Sequence, residues 1–202
     1  GDKSLYDIAS KHADTTIEHH FRNDCGCWHL VNYNPVDGRV IAKQTVQGYS
    51  DDSAWARGQA WALYGYTMMY WKTGQERYLT QAEKIADMLV SRLPEDGIPY
   101  WDFDAPDIPD ALRDASAGAV MAAAFYRLSR LTEDKNKSDI YYKTADTQVK
   151  TLATEEYLAK PGENHNFLLK HSVGFLKNNS EVDAPLTYAD YYFLEALLIR
   201  KG

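Results

Sequence analysis

Apolar residues follow two habits along this chain, and the habits alternate. Three stretches are apolar on one side only. They are Ser4 to Phe21 (Leu5, Ile8, Ala9, Ala13, Ile17, Phe21), Glu76 to Leu93 (Tyr78, Ala82, Ile85, Ala86, Leu89, Leu93) and Asp139 to Ala153 (Ile140, Tyr141, Ala145, Val149, Leu152). The spacing is close to i, i+3, i+4, the signature of a helix with one wet face. Three others, Ala54 to Trp71, Asp114-Ala115-Ser116 to Leu131, and Thr187 to Arg200, are apolar or aromatic on every face. Such helices must be enclosed. One-sided helices therefore form an outer layer and all-apolar helices an inner one. The unit repeats every sixty to seventy residues or so, a length suited to a helical hairpin plus a long loop. The expectation is an all-α single domain over residues 1–202, a half ring of about three hairpins.

Local signals set the expected boundaries. Asp52 or Ser53 is the natural N-cap of the first inner helix. Gly74 ends that helix, Pro94 stops the next, and Lys135 to Asn136 reads as a turn. Trp28 to Tyr33 alternates as a short strand does, and Asn34-Pro35-Val36-Asp37-Gly38 is a turn signal, so a small β-hairpin is expected in the first long loop. The long loops all precede inner helices. They define one functional face, where helix N-termini favour anions.

Composition narrows the partners. A net charge of −7 argues against nucleic acid, which needs a basic surface. No apolar run reaches transmembrane length and no signal-peptide pattern is visible, so neither a membrane partner nor a compartment is indicated. Cys25 and Cys27 are too close for an easy mutual disulfide. A metal there would find only His29 and Asp24 nearby. No metal and no cofactor are expected.

The stretch with chemistry in it is Gln47-Gly48-Tyr49-Ser50-Asp51-Asp52-Ser53-Ala54-Trp55-Ala56-Arg57-Gly58-Gln59-Ala60-Trp61. Arg57 and Trp61 share a helix face one turn apart. A guanidinium fork suits a carboxylate and an indole suits the C–H face of a sugar ring, so the pair could grip a sugar acid. The plainer reading makes Trp55, Trp61 and Tyr64 core and pairs Arg57 with Asp51 or Asp52.

That stretch, together with Trp28-His29-Leu30-Val31-Asn32-Tyr33-Asn34-Pro35, Pro99-Tyr100-Trp101-Asp102-Phe103-Asp104, Arg113-Asp114-Ala115-Ser116-Ala117, Glu181-Val182-Asp183 and Tyr188 to Leu197, resembles glycoside hydrolase family 88, the unsaturated glucuronyl hydrolases. The likeness covers essentially the whole chain. It implies a six-hairpin (α/α) toroid, of which this chain matches the C-terminal portion. It also implies release of a 4,5-unsaturated uronic acid from oligosaccharides left by polysaccharide lyases. In that reaction an aspartic acid protonates the C4=C5 bond, water adds at C5, and the hemiketal falls apart. This differs from two carboxylates acting across an anomeric carbon.

By the resemblance, His29, Gln47, Arg57 and Trp61 match residues of the substrate pocket. Arg57 and Gln47 would hold the uronate or its neighbouring hydroxyls, Trp61 would stack, and His29 would hydrogen-bond near the reacting carbons. The family's key aspartates lie upstream of the first helix, so no catalytic residue is identified here, and this chain by itself is expected to be inactive or nearly so. Cys25-Gly26-Cys27 departs from the family's Gly-Ser-rich turn. Asp51, Asp52, Asp102, Asp104, Asp114, Asp183 and Asp190 are expected to cap helices or bond loops rather than act as acids. The other histidines, His12, His19, His20, His165 and His171, read as surface or core residues, and His171, in a loop on the functional face, is the best candidate among them. The alternatives are a non-catalytic carbohydrate-binding remnant and a helical scaffold. Open apolar ends imply pairing as a homodimer or with a missing N-terminal half.

Overall fold

The computed structural model describes residues 2–201. Its elements are α1 (Lys3–His20), β1 (Leu30–Tyr33), β2 (Val40–Gln44), α2 (Ala56–Thr73), α3 (Glu76–Arg92), α4 (Ala115–Ser129), α5 (Lys135–Leu152) and α6 (Thr187–Lys201). The inner helices α2, α4 and α6 lie side by side with α4 in the middle, and α3 and α5 pack outside their hairpin partners α2 and α4. Helix α1 joins the outer layer beside α3, where Arg77 pairs with Asp14 at 2.7 Å and Tyr78 Oη donates to Ser10 O at 3.2 Å. The two-layer half ring expected from periodicity is the observed architecture. The strands β1 and β2 form an antiparallel pair (Val31 opposite Lys43) in the first long loop.

The inner helices are not equally enclosed. Every residue of α4 except Arg127 is buried. Helices α2 and α6 were expected to match it, but each keeps an open side. Trp71 on α2 and Tyr191, Leu194 and Leu198 on α6 are exposed. They end the arc and lack a neighbour there. Small residues on α4 (Ala115, Gly118, Ala119, Ala122) let its neighbours approach closely. Aromatic side chains of α2 and α6 then meet across it. Trp61 and Tyr64 each sit edge-on to Tyr192, at 5.1 and 5.0 Å, and Tyr64 Oη lies 3.1 Å from both carboxylate oxygens of Glu195.

Two boundaries differ from the local signals. Neither Asp52 nor Ser53 caps α2. The N-cap is Trp55, with no side-chain acceptor. The adjoining loop does the work instead: Ala56 N–H donates to Trp101 O at 3.1 Å, and Ser53 Oγ donates to Asp102 at 2.7 Å. Helix α5 begins at Lys135, inside the expected turn, because Asp134 accepts from the N–H groups of Asn136 and Lys137 at 2.8 and 3.2 Å. Lys137 is then held by Glu83 and Asp87 of α3.

Candidate functional site

The loop from Gln47 to Ala54 is shaped by buried acids. Asp102, fully buried, accepts from Tyr49 N–H (2.9 Å), Ser53 Oγ (2.7 Å) and Asp104 N–H (2.9 Å). Asp104 accepts from Ala54 N–H at 2.8 Å and pairs with Arg92, and Asp51 accepts from Thr45 N–H at 2.8 Å. Asp190 binds the N–H groups of Leu168 and Leu169, Asp183 lies 2.6 Å from His171 Nδ1, and Asp52 is exposed. Asp52 apart, these are capping, loop-bonding and ion-pairing roles.

Arg57 projects from the first turn of α2 and is 3% exposed. Its partner is neither Asp51 nor Asp52 but Asp114, the fully buried N-cap of α4, at 3.1 Å. The guanidinium also donates to the carbonyls of Val173 and Gly174, the latter at 2.7 Å, and it lies 4.6 Å from the Trp55 ring and 5.5 Å from that of Tyr188. One side chain thereby ties the starts of two inner helices to the loop before the third. Most of its donors are taken up by protein acceptors, with Asp114 as the counter-charge.

Gln47 Nε2 donates to the same Gly174 carbonyl at 2.7 Å. Position 174 is glycine because a Cβ there would lie 2.5 Å from Glu181 Cβ. His29 stacks on Trp55 with centroids 4.3 Å apart and planes at 24°. Burial lowers its pKa, and the charges of Arg57 and Lys177 lower it further. Trp61, half-buried, faces Tyr188 and Tyr192.

The structure thus gathers His29, Gln47 and Arg57 around Trp55 and Gly174. Trp61 and His29 share a cavity of about 440 Å³ between α1 and α2, lined also by Trp28, Gly58, Tyr66 and Met69. Sequence reasoning left Asp114, Tyr188 and Gly174 out of the cluster. Asp114 and Arg57 are 57 positions apart, and only the packing of helix starts joins them. Cys25 and Cys27 are both free. Burial pushes the Cys27 thiol up to about 12, and its backbone is bracketed by Gln59.

No family model matches the chain. Over 199 residues it is 46% identical to the unsaturated glucuronyl hydrolase of Formosa agariphila, covering 98% of this chain and 49% of that protein. The structure of an unsaturated glucuronyl hydrolase specific for heparin superposes with a TM-score of 0.93 at 49% identity, covering 96% of this chain and 52% of that one. A variant of the Streptococcus agalactiae unsaturated glucuronyl hydrolase, complexed with dGlcA-GalNAc6S, superposes with a TM-score of 0.87 at 30% identity, covering 100% and 54%. The chain spans about half the length of the curated relatives it matches. Its helical layers match the α/α toroid of these structures. The chain is therefore a homologue of the unsaturated glucuronyl hydrolases of glycoside hydrolase family 88, matched along about half of their length.

Proposed function

We propose that this chain forms the sugar-holding part of an unsaturated glucuronyl hydrolase that releases 4,5-unsaturated uronic acid from lyase-generated oligosaccharides. The observation that carries the reading is the convergence of His29, Trp55, Arg57 and Gln47 at the starts of the inner helices, with Trp61 beside them. Trp61 offers a flat face to the ring. His29 offers a hydrogen bond, and the Arg57 charge favours a uronate carboxylate. In the reaction a proton adds to C4, the oxygen of water bonds to C5 and gives up its own proton, and the hemiketal opens to release the saccharide. The proton donor comes from a companion segment, since the acids on this face, the exposed Asp52 apart, are bound into loops, caps or an ion pair.

The double bond absorbs in the ultraviolet, and hydration abolishes the band. The given chain is expected to leave the absorbance of an unsaturated disaccharide unchanged, and a protein extended upstream to the relatives' full length is expected to consume it. Turnover by the given chain at the rate of the extended protein would place the acid among Asp51, Asp52, Asp102, Asp104, Asp114, Asp183 and Asp190. Binding without turnover in the extended protein would favour the second reading, a carbohydrate-binding remnant, which the intact Trp61–Tyr188–Tyr192 wall supports.

The same proposal accounts for the open ends. Leu5 and Ile8 of α1, the apolar cavity between α1 and α2, and Tyr191, Leu194 and Leu198 of α6 form apolar faces that a monomer seldom leaves in water. The complementary half is the preferred cover, with a second copy as its substitute when the chain is alone. Light scattering at micromolar concentration is expected to give a mass above the 23.0 kDa of one chain. A stable species at the monomer mass would overturn the pairing.

A further inference from the structure

One nitrogen of His29 sits in a cup of donors. The N–H groups of Val46 and Gln47 both donate to Nδ1, each at 3.2 Å, and the Thr45 hydroxyl lies 3.2 Å from the same atom. Thr45 builds the cup. Its Oγ1 accepts from Gly48 N–H at 2.8 Å and closes a tight turn. Asp51 holds the entry of that turn through Thr45 N–H, and Asp102 holds its exit through Tyr49 N–H. The turn also dictates glycine at 48. A Cβ there would stand 2.6 Å from Thr45 Oγ1, 3.0 Å from Trp55 Cβ and 3.1 Å from Asp102 Oδ2.

Backbone N–H groups only donate, so Nδ1 must present its lone pair. The proton of a neutral ring is then on Nε2. Among the described residues Nε2 has no hydrogen-bond partner, and the ring borders the cavity it shares with Trp61. Stacking on Trp55 fixes the ring plane.

We propose that residues 45–48 are a positioning device that holds His29 as its neutral Nε2–H tautomer, so that it meets a sugar oxygen only as an uncharged hydrogen-bond donor. The sugar rests on the proposed function; the tautomer does not. A ring held this way cannot take a proton at Nε2 and so does not compete for the one destined for the double bond. The surrounding charges act in the same direction. Arg57 and Lys177 both oppose an imidazolium, while Asp51 and Asp102 are spent on the turn's own amides. His20 of α1, which borders the same cavity, is itself shifted toward the neutral form by burial. The sign of the linkage follows. The unfolded ring titrates near its ordinary value, about 6.5, and the folded ring titrates lower. Between the two, the unfolded state binds the extra proton, so this site's contribution to stability is lost as pH falls through that window and is complete above it.

Proton–nitrogen correlation spectra of the nitrogen-labelled chain read each ring's tautomer without substrate or turnover, with His29 assigned by the signal lost in His29→Asn. The wild type is expected to show a single Nε2–H form that persists below the ordinary imidazole value of about 6.5. Thr45→Val, which removes the hydroxyl at nearly constant volume, is expected to give averaged tautomer shifts and an upward move of the His29 midpoint, and Thr45→Ser is expected to restore the wild-type pattern. An averaged or Nδ1–H ring in the wild type would overturn the proposal. So would a Thr45→Val spectrum indistinguishable from the wild type. Either outcome can occur while the extended protein remains active, so failure of the device is separable from failure of the functional reading.

Discussion

Asp114→Ala is expected to destabilise the folded chain by about 3–5 kcal/mol, the usual cost of removing one member of a buried ion pair. The reason lies in what would be left behind. The Arg57 side chain is 4% exposed and that of Asp114 is fully buried. Without the carboxylate, the guanidinium keeps two carbonyl partners but no counter-charge, and it cannot shed its proton. The substitution also uncaps α4, because Asp114 Oδ1 accepts from the N–H groups of Ser116 and Ala117. Asp14→Ala is the control. Its bidentate pair with Arg77 has comparably good geometry, but both partners are about half exposed, and such pairs contribute about 0–1 kcal/mol. Urea denaturation measures both variants. A loss below about 1 kcal/mol for Asp114→Ala would mean that the two helix starts are not held by this pair.

Asp102→Ala is expected to cost about 2–4 kcal/mol, since it abandons three donors and each buried one left alone costs about 1–3 kcal/mol before water reaches it. Those donors are Tyr49 N–H, Ser53 Oγ and Asp104 N–H. They shape the loop that carries Gln47 and leads into α2, so the damage should be local as well as global. Limited proteolysis is expected to cut between residues 47 and 53 in the variant and not in the wild type. Asp102→Asn keeps the shape but turns one acceptor into a donor facing donors, so it should recover only part of the loss. Asp52→Ala, at an exposed position, should fall within about 0.5 kcal/mol of the wild type. Wild-type stability and an uncut loop in Asp102→Ala would return Asp102 to the set of acids free for chemistry.

These two acids show why the site was only partly legible in the chain. Asp114 reads as a helix cap from sequence, and it is one. That its second oxygen holds Arg57 depends on α2 and α4 starting side by side, and no local spacing encodes that neighbourhood. Sequence proximity pairs Arg57 with Asp51 or Asp52. Its actual partners are an acid 57 positions away and two carbonyls more than a hundred positions away. Sequence reasoning does not single out Gly174, and it reads Tyr188 only as the start of a family-like stretch, for the same reason. The cap of α2 failed in a related way, because the neighbouring loop satisfies the helix start and leaves Ser53 to bind Asp102.

By itself the sequence determined the layers. Helical period is a property of consecutive residues, so the one-sided and all-apolar stretches declared outer and inner helices, their order and the face on which the loops gather. Gly74, in the left-handed region, acts through its own backbone, and the Asp114 carboxylate accepts from N–H groups two and three residues on, so both were likewise readable. Only the tertiary structure decided which helices lie in contact, and therefore which buried charges neutralise one another. It decided that α4 alone is closed on all sides while α2 and α6 remain open, because enclosure depends on neighbours rather than on the residues enclosed. It also decided the proton on His29. The amides that donate to Nδ1 lie seventeen and eighteen positions away, in a turn brought there by the β1–β2 hairpin and held by acids from two loops.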